Sequence, residues 1–551
     1  MQGCLFDTIR RGRRSVKRVS RREWVWAAVV SALVVASSML PYLTGYVVQT
    51  PESRFVGAVM DRADYYSPLA KMWQGYRGEW RYRLLFTSEQ HDGAYLQLFY
   101  VALGHVSRLT RVPLAGMYQI ARVLFALIML LLIYRFMAYF TEKVTLRRRA
   151  FLFATMASGL GWLTEAVSPT PPGGVSPIDF WLMDGYTYLA LLTSPHFCAA
   201  IALLLSIFLL LFAQTQRPTV HRAAETVLAS TALALIHPHM LFVADVVPVV
   251  YWVMHWVISG RLLWRGLPTV AAMGLTQAPI VAYDLGVFRA RPVFAGWSAQ
   301  NVTMSPPVLA YLLGYAPLLI FAVVGALHWP TSDGAARLFP LIWIGLVAVL
   351  VHIPWKAQRR FLEGVQIPMG LLAAVGLTHL SNTLFTRPRR RWLSEATTIA
   401  MASMSNLYIV AGLVMAIAAH APGFFQSAHY LTALDWLAAK SSWQETVLAS
   451  ADTGAMIPAR IGHRVVIGHG METIEYGVKE KDVARFFSST ASDAYRRTRV
   501  RAWNVKWLVY GPDERAQGGF NPSSVPWLRE ACRSGSVKVY EVTSGAGSGN
   551  E

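Results

Sequence analysis

The sequence predicts a mainly α-helical, polytopic membrane bundle with a soluble α/β domain at its C-terminus. Of the 551 residues, 54% are hydrophobic and only 15% are charged. The hydrophobic residues occur in runs long enough to cross a bilayer, which excludes a large soluble enzyme. Lys and Arg lie in short clusters between these runs, and the sequence becomes more polar and mixed from residue 421 onward. These three observations define the class.

We predict eleven membrane spans. The first follows a basic N-terminus without a clear signal-peptide cleavage site, so we expect an uncleaved helix. The predicted spans are residues 24–46, 117–140, 149–167, 186–213, 223–237, 240–258, 267–285, 307–328, 336–353, 361–384 and 396–420.

Basic clusters fall on one side of the membrane if these spans are counted, as the positive-inside tendency requires. This predicts a multi-pass membrane protein with a cytoplasmic N-terminus. It also accounts for the formal charge of +20, so we expect membrane lipids and no nucleic acid as partners. Residues 223–258 could instead form one bent helix broken at Pro238, but that would export the later basic clusters. The clusters are Arg10–Arg22, Lys143 with Arg147–Arg149, Arg217 with Arg222, Arg261 with Arg265, and Arg387 with Arg389–Arg391.

The spans imply three domains: a basic cytoplasmic segment 1–23, a transmembrane domain 24–420, and an extracytoplasmic α/β domain 421–551. The transmembrane domain includes a long outer loop, 47–116, in which residues 94–106 have the apolar spacing of a helix too short to cross. We expect that helix to lie at the membrane interface. In the tail we predict strands at 446–450, 464–467, 506–510 and 537–542 and a helix at 481–497.

The outer loop begins with two acids, Asp61 and Asp64. A carboxylate at a membrane face is a candidate general base. Asp61 could equally be a solvated loop acid paired with Arg54 or Arg62. On a helical turn the two acids would face similarly, whereas in an extended chain they would point apart.

The turn before residue 361 carries Lys356, Arg359 and Arg360 on the predicted outer face, against the positive-inside tendency. A bound lipid phosphate would compensate for them, as would a headgroup contact or an ion pair with Glu363. Arg122, at the outer end of the second span, is costly in lipid and should bind phosphate or pair with an acid.

Five further polar residues fall on the same predicted face: His91, Asp92, His196, His237 and His239. They could bind an acceptor, a donor phosphate or a divalent cation, or serve only as helix-capping and interfacial groups. His237-Pro238-His239 lacks the one-turn spacing that lets two helical histidines share a metal. We therefore predict no defined cofactor and leave a divalent cation open.

The order of these features resembles the GT-C superfamily of membrane glycosyltransferases. The resemblance rests on one helix, an outer loop opening with Asp-x-x-x-Tyr (Asp61 and Tyr65), an amphipathic segment ending near Gly104, and Arg122 at the head of the second helix. A later stretch, residues 358–368, looks like the outer loop beside the lipid-phosphate site of such enzymes. The chain looks closest to an uncharacterised bacterial branch.

This resemblance implies a donor, a base and a phosphate site. The donor would be a polyprenyl-phosphate sugar, and Asp61 would deprotonate an acceptor hydroxyl. Arg359 and Arg360, with Arg122, would stabilise the leaving phosphate. Arg62 stands where the family commonly has a second acid, which puts a paired-carboxylate metal site at Asp61 in doubt and makes Asp64 the alternative base.

The predicted function is therefore transfer of a hexosyl or pentosyl group to a glycan, lipid or protein acceptor on the extracytoplasmic face, with inversion, in cell-envelope glycan biosynthesis. One alternative is a transporter or lipid flippase, for which mid-span Asp245 and Glu225 would be the pathway charges. Another is a non-catalytic envelope scaffold, in which Asp61 would be dispensable.

Overall fold

The computed structural model describes residues 18–167, 177–260, 262–329 and 337–543, most of which are helical. The helices up to residue 260 are α1 (Arg21–Val48), α2 (Arg62–Tyr76), α3 (Leu98–Thr110), α4 (Leu114–Phe140), α5 (Val144–Met156), α6 (Gly161–Val167), α7 (Thr187–Thr193), α8 (Pro195–Gln216), α9 (Val220–Ile236) and α10 (Leu241–Ser259). From residue 262 to 418 they are α11 (Leu267–Ala290), α12 (Pro292–Gln300), α13 (Val308–Gly314), α14 (Ala316–Leu327), α15 (Leu338–Leu350), α16 (Gln366–Leu384), α17 (Pro388–Ala402) and α18 (Met404–Ala418). The tail contains α19 (Ala428–Lys440), α20 (Ala451–Ile461), α21 (Tyr476–Phe487), α22 (Asp493–Ala502) and α23 (Pro512–Ala516).

Six helices of the described residues are long and apolar enough to cross a membrane, or up to eight if two bent pairs each form one span. The bent pairs are α13 with α14, at 81°, and α17 with α18, at 48°. The protein is therefore a multi-pass integral membrane protein. The count differs from the eleven predicted spans because α5 and α15 have 13 residues each and α9 has 17, which is less than one straight span needs. The candidate spans are α1, α4, α8, Pro238–Ser259, Trp264–Ala290 and α16.

Helical structure is interrupted at His237, between α9 and α10. His237 has φ −151° and ψ 75°, which is not helical, and Pro238–Met240 forms a short 3-10 turn. Proline disfavours the helical conformation of the residue before it, so α9 ends at Ile236. Residues 223–258 therefore contain two helices separated by a turn.

The described residues form two compact units. One, the helical unit, comprises residues within 1–40, 120–282 and 303–414. Its helices α14 and α16 touch through backbone: a Cβ atom added at Gly325 would lie 1.9 Å from the carbonyl oxygen of Leu372, and one at Gly376 would lie 1.9 Å from that of Phe321. Small residues at helix contacts are typical of membrane packing, where close approach replaces the hydrophobic effect.

The second unit, the mixed unit, comprises residues within 41–119, 283–302 and 415–551. It joins the first loop to the tail. Strand β1 (Ser53–Phe55) pairs antiparallel with β2 (Phe425–Ser427), and Tyr66, Met72 and Phe86 of the loop share one apolar core with tail residues. The loop and the tail therefore belong to one compact unit.

The tail sheet has five strands in the order β4-β3-β5-β7-β6. β3 runs parallel to both β4 and β5, whereas β7 runs antiparallel to β5 and β6. The predicted α/β character of the tail is confirmed. These strands are β3 (Thr446–Leu448), β4 (Arg464–Val465), β5 (Val505–Tyr510), β6 (Leu528–Ser534) and β7 (Val537–Val542).

Three local predictions need correction. The helix predicted at 481–497 is two helices, α21 and α22, because Ser492 caps the second one and accepts a hydrogen bond from Tyr495 N–H. The loop helix predicted at 94–106 begins later, at Leu98, because Ala94 exchanges backbone hydrogen bonds with Tyr82. Helix α2 was not predicted at all.

Candidate functional site

Asp61 is the N-cap residue of α2. Its backbone is extended, and its Oδ1 accepts hydrogen bonds from the backbone N–H groups of Ala63 (2.8 Å) and Asp64 (3.3 Å). A capping carboxylate satisfies N–H groups at a helix start that have no intrahelical acceptor. The side chain is exposed, and its Oδ2 takes no part in the cap. The fold therefore fixes Asp61 and leaves one carboxylate oxygen for chemistry.

Asp64 lies on the first turn of α2 and faces the tail residue His469, with 3.8 Å between Asp64 Oδ1 and His469 Nε2. The other ring nitrogen, Nδ1, accepts hydrogen bonds from the N–H groups of Met471 (3.1 Å) and Glu472 (3.2 Å). This pattern places the proton on Nε2. His469 therefore directs an N–H group toward Asp64.

Arg62 faces a tail acid. Its guanidinium lies 3.8 Å from Asp452, and both side chains are exposed. No ion pair joins Asp61 to Arg54 or Arg62 within the part of the chain that the structure describes.

A buried carboxylate, Glu472, joins the tail to α2. Glu472 accepts hydrogen bonds from Ser67 Oγ (2.5 Å) and Tyr82 OH (2.7 Å), and Lys71 Nζ lies 3.0 Å away. Burial by itself would raise the pKa of Glu472, but the charge of Lys71 and these hydrogen bonds lower it to about 2. The structure gives Glu472 a specific set of partners.

Arg359 and Arg360 share one acid, Asp184, within the helical unit. Arg359 Nε lies 2.8 Å from Asp184 Oδ2, and Arg360 NH1 lies 3.2 Å from Asp184 Oδ1. The Asp184 side chain is only 4% exposed. The guanidinium groups also face the rings of Trp181 (5.4 Å) and Phe197 (5.8 Å). Arg360 donates a hydrogen bond to this buried carboxylate, whereas Arg359 Nε lies close to it without hydrogen-bond geometry.

Sequence reasoning missed Asp184, although a signal was available. It lies in the predicted outer connection between the spans 149–167 and 186–213, on the predicted face of Arg359 and Arg360. A surplus of cations on that face calls for an acid nearby. Glu363, which the sequence offered as one possible partner, contacts His237.

His237 and Glu363 form a buried pair in turns outside the candidate spans, with 2.7 Å between His237 Nε2 and Glu363 Oε1. Burial, with Arg360 nearby, lowers the pKa of His237 to about 3, and burial raises the pKa of Glu363 well above its usual range. Burial thus favours the uncharged form of each group. Rings of His196 and His239 lie 5.9 and 5.6 Å from that of His237. Three predicted histidines are thus together.

The other predicted residues have different surroundings. Arg122 is fully buried and donates hydrogen bonds to Ser38 Oγ (3.1 Å) and the carbonyl of Leu191 (3.0 Å), which ties α4 to α1 and α7. His91 donates from Nδ1 to the carbonyl of Glu89 and accepts at Nε2 from Leu84 N–H, so local backbone uses both nitrogens.

Tyr65 and Asp92 differ in exposure. Tyr65 is buried against Tyr118, with ring centroids 5.2 Å apart, and its hydroxyl has no hydrogen-bond partner among the described residues. Asp92 is exposed. Each of these remains a predicted binding residue.

A divalent cation does not fit the side chains that the structure describes. No three His, Cys, Asp or Glu residues within the described ranges come together as a ligand set. Asp61 and Asp64 lie on the same helical turn, but the residue next to Asp61 is Arg62, a cation rather than a further acid. No step of the chemistry below passes through a metal.

The fold is that of the GT-C membrane glycosyltransferases, as the resemblance predicted. The oligosaccharyltransferase of Archaeoglobus fulgidus in its apo form is 14% identical, with a TM-score of 0.51 over 89% of this chain and 69% of that one. The same enzyme, AglB, in complex with an inhibitory peptide and a dolichol-phosphate also gives 0.51 at 14% identity, over 88% and 69% of the two chains. ArnT from Cupriavidus metallidurans is 13% identical, with a TM-score of 0.50 over 96% of this chain and 99% of that one. Neither a protein-family model nor a curated protein sequence matches the chain.

The Glu472 network predicts a pH-dependent stability. The folded pKa of about 2 lies below the ordinary 4.5, so the ionised group stabilises the fold above that ordinary pKa and loses this contribution as pH falls toward 2. The contribution is about 3 kcal/mol. The apparent Tm of the full-length protein in detergent should therefore fall between about pH 5 and pH 3, and Glu472→Gln should flatten this dependence. An unchanged slope in the variant would contradict the prediction.

At pH 7, Glu472→Gln should also destabilise the protein by about 3 kcal/mol, because it leaves Lys71 buried without an opposite charge. The matched control is Asp435→Asn, which removes an exposed ion pair with Arg460 and should cost less than about 1 kcal/mol. Equal Tm values for the two variants would show that the buried network does not hold the unit together.

The N-cap assignment predicts that Asp61→Ala destabilises α2 by about 1 kcal/mol, whereas Asp61→Asn retains the cap because its amide oxygen can accept the same hydrogen bonds. Hydrogen exchange at residues 62–66, followed by mass spectrometry, measures this directly. Faster exchange in the Asn variant than in the wild type, to the level of the Ala variant, would rule out the cap.

Proposed function

We propose that the protein is a membrane glycosyltransferase that transfers a sugar from a polyprenyl-phosphate donor to an acceptor hydroxyl on the extracytoplasmic face, with inversion. The observation that carries this proposal is the shared fold with ArnT and AglB over 88% to 96% of the chain. The sugar would be a hexosyl or pentosyl group.

On the acceptor side, Asp61 is the general base. Its free Oδ2 takes the proton of the acceptor hydroxyl while that oxygen attacks the anomeric carbon. The bond between the anomeric carbon and the phosphate oxygen breaks, and the phosphate keeps the electron pair. Asp64 is the alternative base, and His469 supports it because an N–H group aimed at a carboxylate orients it. The AglB structure with a tethered acceptor peptide makes a peptide one candidate acceptor, besides a glycan or a lipid.

On the donor side, Arg359 and Arg360 bind the lipid phosphate. Two guanidinium groups that a buried acid already orients are ready to stabilise the charge that develops on the leaving phosphate. The dolichol-phosphate in the AglB complex supports a lipid phosphate as the donor class. Arg122 is the third candidate. Its present contacts to Ser38 and Leu191 would have to be kept or exchanged when lipid binds.

The topology belongs to the same proposal. We place residues 1–23 in the cytoplasm, 24–420 in and around the membrane, and 421–551 outside. The pairing of β1 with β2 supports this assignment, because it puts the first loop and the tail on one side. The base is then on the side where a flipped lipid-linked sugar is presented.

Asp61→Asn tests the base. Because Asn retains the cap, the variant should fold and lose about 100- to 10,000-fold in rate. The measurement is release of polyprenyl phosphate from a panel of polyprenyl-phosphate sugars by the protein in lipid. Asp64→Asn is the matched variant on the same helical turn. Full activity of the Asp61 variant with loss in the Asp64 variant would move the base to Asp64.

The same assay separates the other function classes. A lipid flippase would move the labelled lipid across liposomes without releasing polyprenyl phosphate. A scaffold would do neither, and Asp61→Asn would then have no effect on any readout. Either result would overturn the glycosyltransferase assignment.

Substitution of Arg359 and Arg360 tests the phosphate site. Arg359→Ala with Arg360→Ala should weaken donor binding at least tenfold, because charge-assisted hydrogen bonds contribute about 1.5 to 3 kcal/mol each. Since this change leaves Asp184 buried alone, Arg359→Lys with Arg360→Lys serves as a second variant that keeps the charge. It should show an intermediate loss. Unchanged donor affinity in folded Ala protein would place the phosphate elsewhere.

A further inference from the structure

The mixed unit contains a buried arginine that has no acidic partner. Arg464, on strand β4, is only 5% exposed. Within the described residues its Nε has no hydrogen-bond partner, and its guanidinium forms no ion pair. A guanidinium is always charged in proteins, and burying a charge without a partner is costly. A position that keeps such a charge is therefore a candidate for binding an anion.

A second arginine, Arg83 of the outer loop, lies beside Arg464. The Val465 N–H group donates a hydrogen bond to the carbonyl of Leu85 (2.9 Å), which holds β4 against this part of the loop. Arg83 NH1 is also buried without a hydrogen-bond partner among the described residues, and Glu79 Oε2 lies 3.5 Å from it. Burial and the charge of Arg83 lower the pKa of Arg464. Two like charges are thus close together, and in the described part of the chain neither donates a hydrogen bond to an acid.

The neighbouring titratable groups do not supply the missing negative charge. Glu89 is the acid whose charge acts on Arg464, but its carboxylate contacts Lys479 Nζ at 2.7 Å. His91 uses both ring nitrogens for local backbone, and burial and the two arginines lower its pKa. Burial therefore favours the uncharged form of this histidine.

The residue Trp443 connects these guanidinium groups. Its ring centroid lies 5.6 Å from the guanidinium carbon of Arg83 and 5.3 Å from that of Arg77, which is the range of cation–π contacts. Its carbonyl accepts a hydrogen bond from the backbone N–H of Arg464 (3.3 Å). Arg77 donates to the carbonyls of residues 461 and 462, at 2.7 Å each. Arg83 and Arg464 are therefore the two arginines that retain donors for a ligand.

We propose that Arg83 and Arg464 form a binding site for an oxyanion, namely the carboxylate or phosphate group of a small water-soluble molecule or of an acidic sugar. The planar guanidinium fork matches both groups, and charge-assisted hydrogen bonds to it are strong. Such a ligand supplies the acceptors that Arg464 Nε and Arg83 NH1 lack. The site uses none of the residues that the proposed function assigns to the donor phosphate or to the base, so it goes beyond that function.

Titration calorimetry of the full-length protein in detergent tests this site. Inorganic phosphate and glucuronate should bind, whereas glucose should not, because it has no charge. Tighter binding of phosphate would identify a phosphate group as the ligand, and tighter binding of glucuronate would identify an acidic sugar. Arg464→Met should weaken the affinity for the tighter ligand about tenfold or more. If neither anion binds, or if Arg464→Met binds as the wild type does, the proposal is wrong.

Two further variants show whether binding belongs to this pair of arginines. Arg83→Met removes the second guanidinium and should also weaken the affinity about tenfold. Arg460→Met is the matched control, because Arg460 forms an exposed ion pair with Asp435 (2.7 Å) shortly before β4. It should leave the affinity unchanged. An equal loss in the Arg460 variant would show that the anion responds only to the overall positive charge, and would rule out the site.

Stability separates a binding arginine from a structural one. Arg464→Met should raise the Tm in chloride buffer without oxyanions, because it removes a buried, unpaired charge and keeps a long side chain. The wild-type Tm should rise when the better-bound oxyanion is added, and Arg464→Met should lose this rise. A lower Tm of Arg464→Met in chloride, or its failure to fold, would show that the arginine serves the fold and would overturn the proposal. None of these measurements requires sugar transfer, so their result is independent of the Asp61→Asn assay.

Discussion

The arrangement of the mixed unit depends on the contacts of one buried carboxylate, that of Glu472. It joins the tail to Ser67, 405 residues earlier in the chain, and to Tyr82 and Lys71 of the same loop. Removing one partner of a buried pair leaves an uncompensated charge, so separating α2 from the tail loop has a high cost in free energy. His469, three residues before Glu472, is held by the same loop. The orientation of Asp64 toward a tail histidine therefore follows from the buried ion pair.

The helical unit also buries charged side chains, but it arranges their partners differently. Two arginines lie beside one acid, Asp184, and the next acid, Glu363, lies against His237 instead. Several buried polar atoms of this cluster have no hydrogen-bond partner among the described residues. A structural cluster would be expected to satisfy its own hydrogen bonds, so this incompleteness favours a binding role.

The sequence was sufficient to predict the fold class, because long apolar runs and basic clusters report directly on membrane spans. It was sufficient for only some of the residues that face each other in the loops. It indicated Arg359, Arg360 and His237 but not Asp184, whose partner role depends on tertiary contact. It left Asp61 and Asp64 without an orientation, because helix α2 contains Pro68 and few apolar residues in its first turn. Its stability comes from packing against the tail, which local propensity does not encode.

The position of Asp61 gives its chemistry a further argument. A helix cap requires only one side-chain oxygen, and Ser or Thr supplies it elsewhere in this chain, as Thr219, Ser427, Ser450 and Ser492 do. At the start of α2 the capping residue is instead Asp61, whose carboxylate has a second oxygen. One oxygen then holds the group rigidly against the helix start while the other stays exposed. A general base needs this combination, because a fixed orientation lowers the entropic cost of proton transfer, and an exposed lone pair can meet the acceptor.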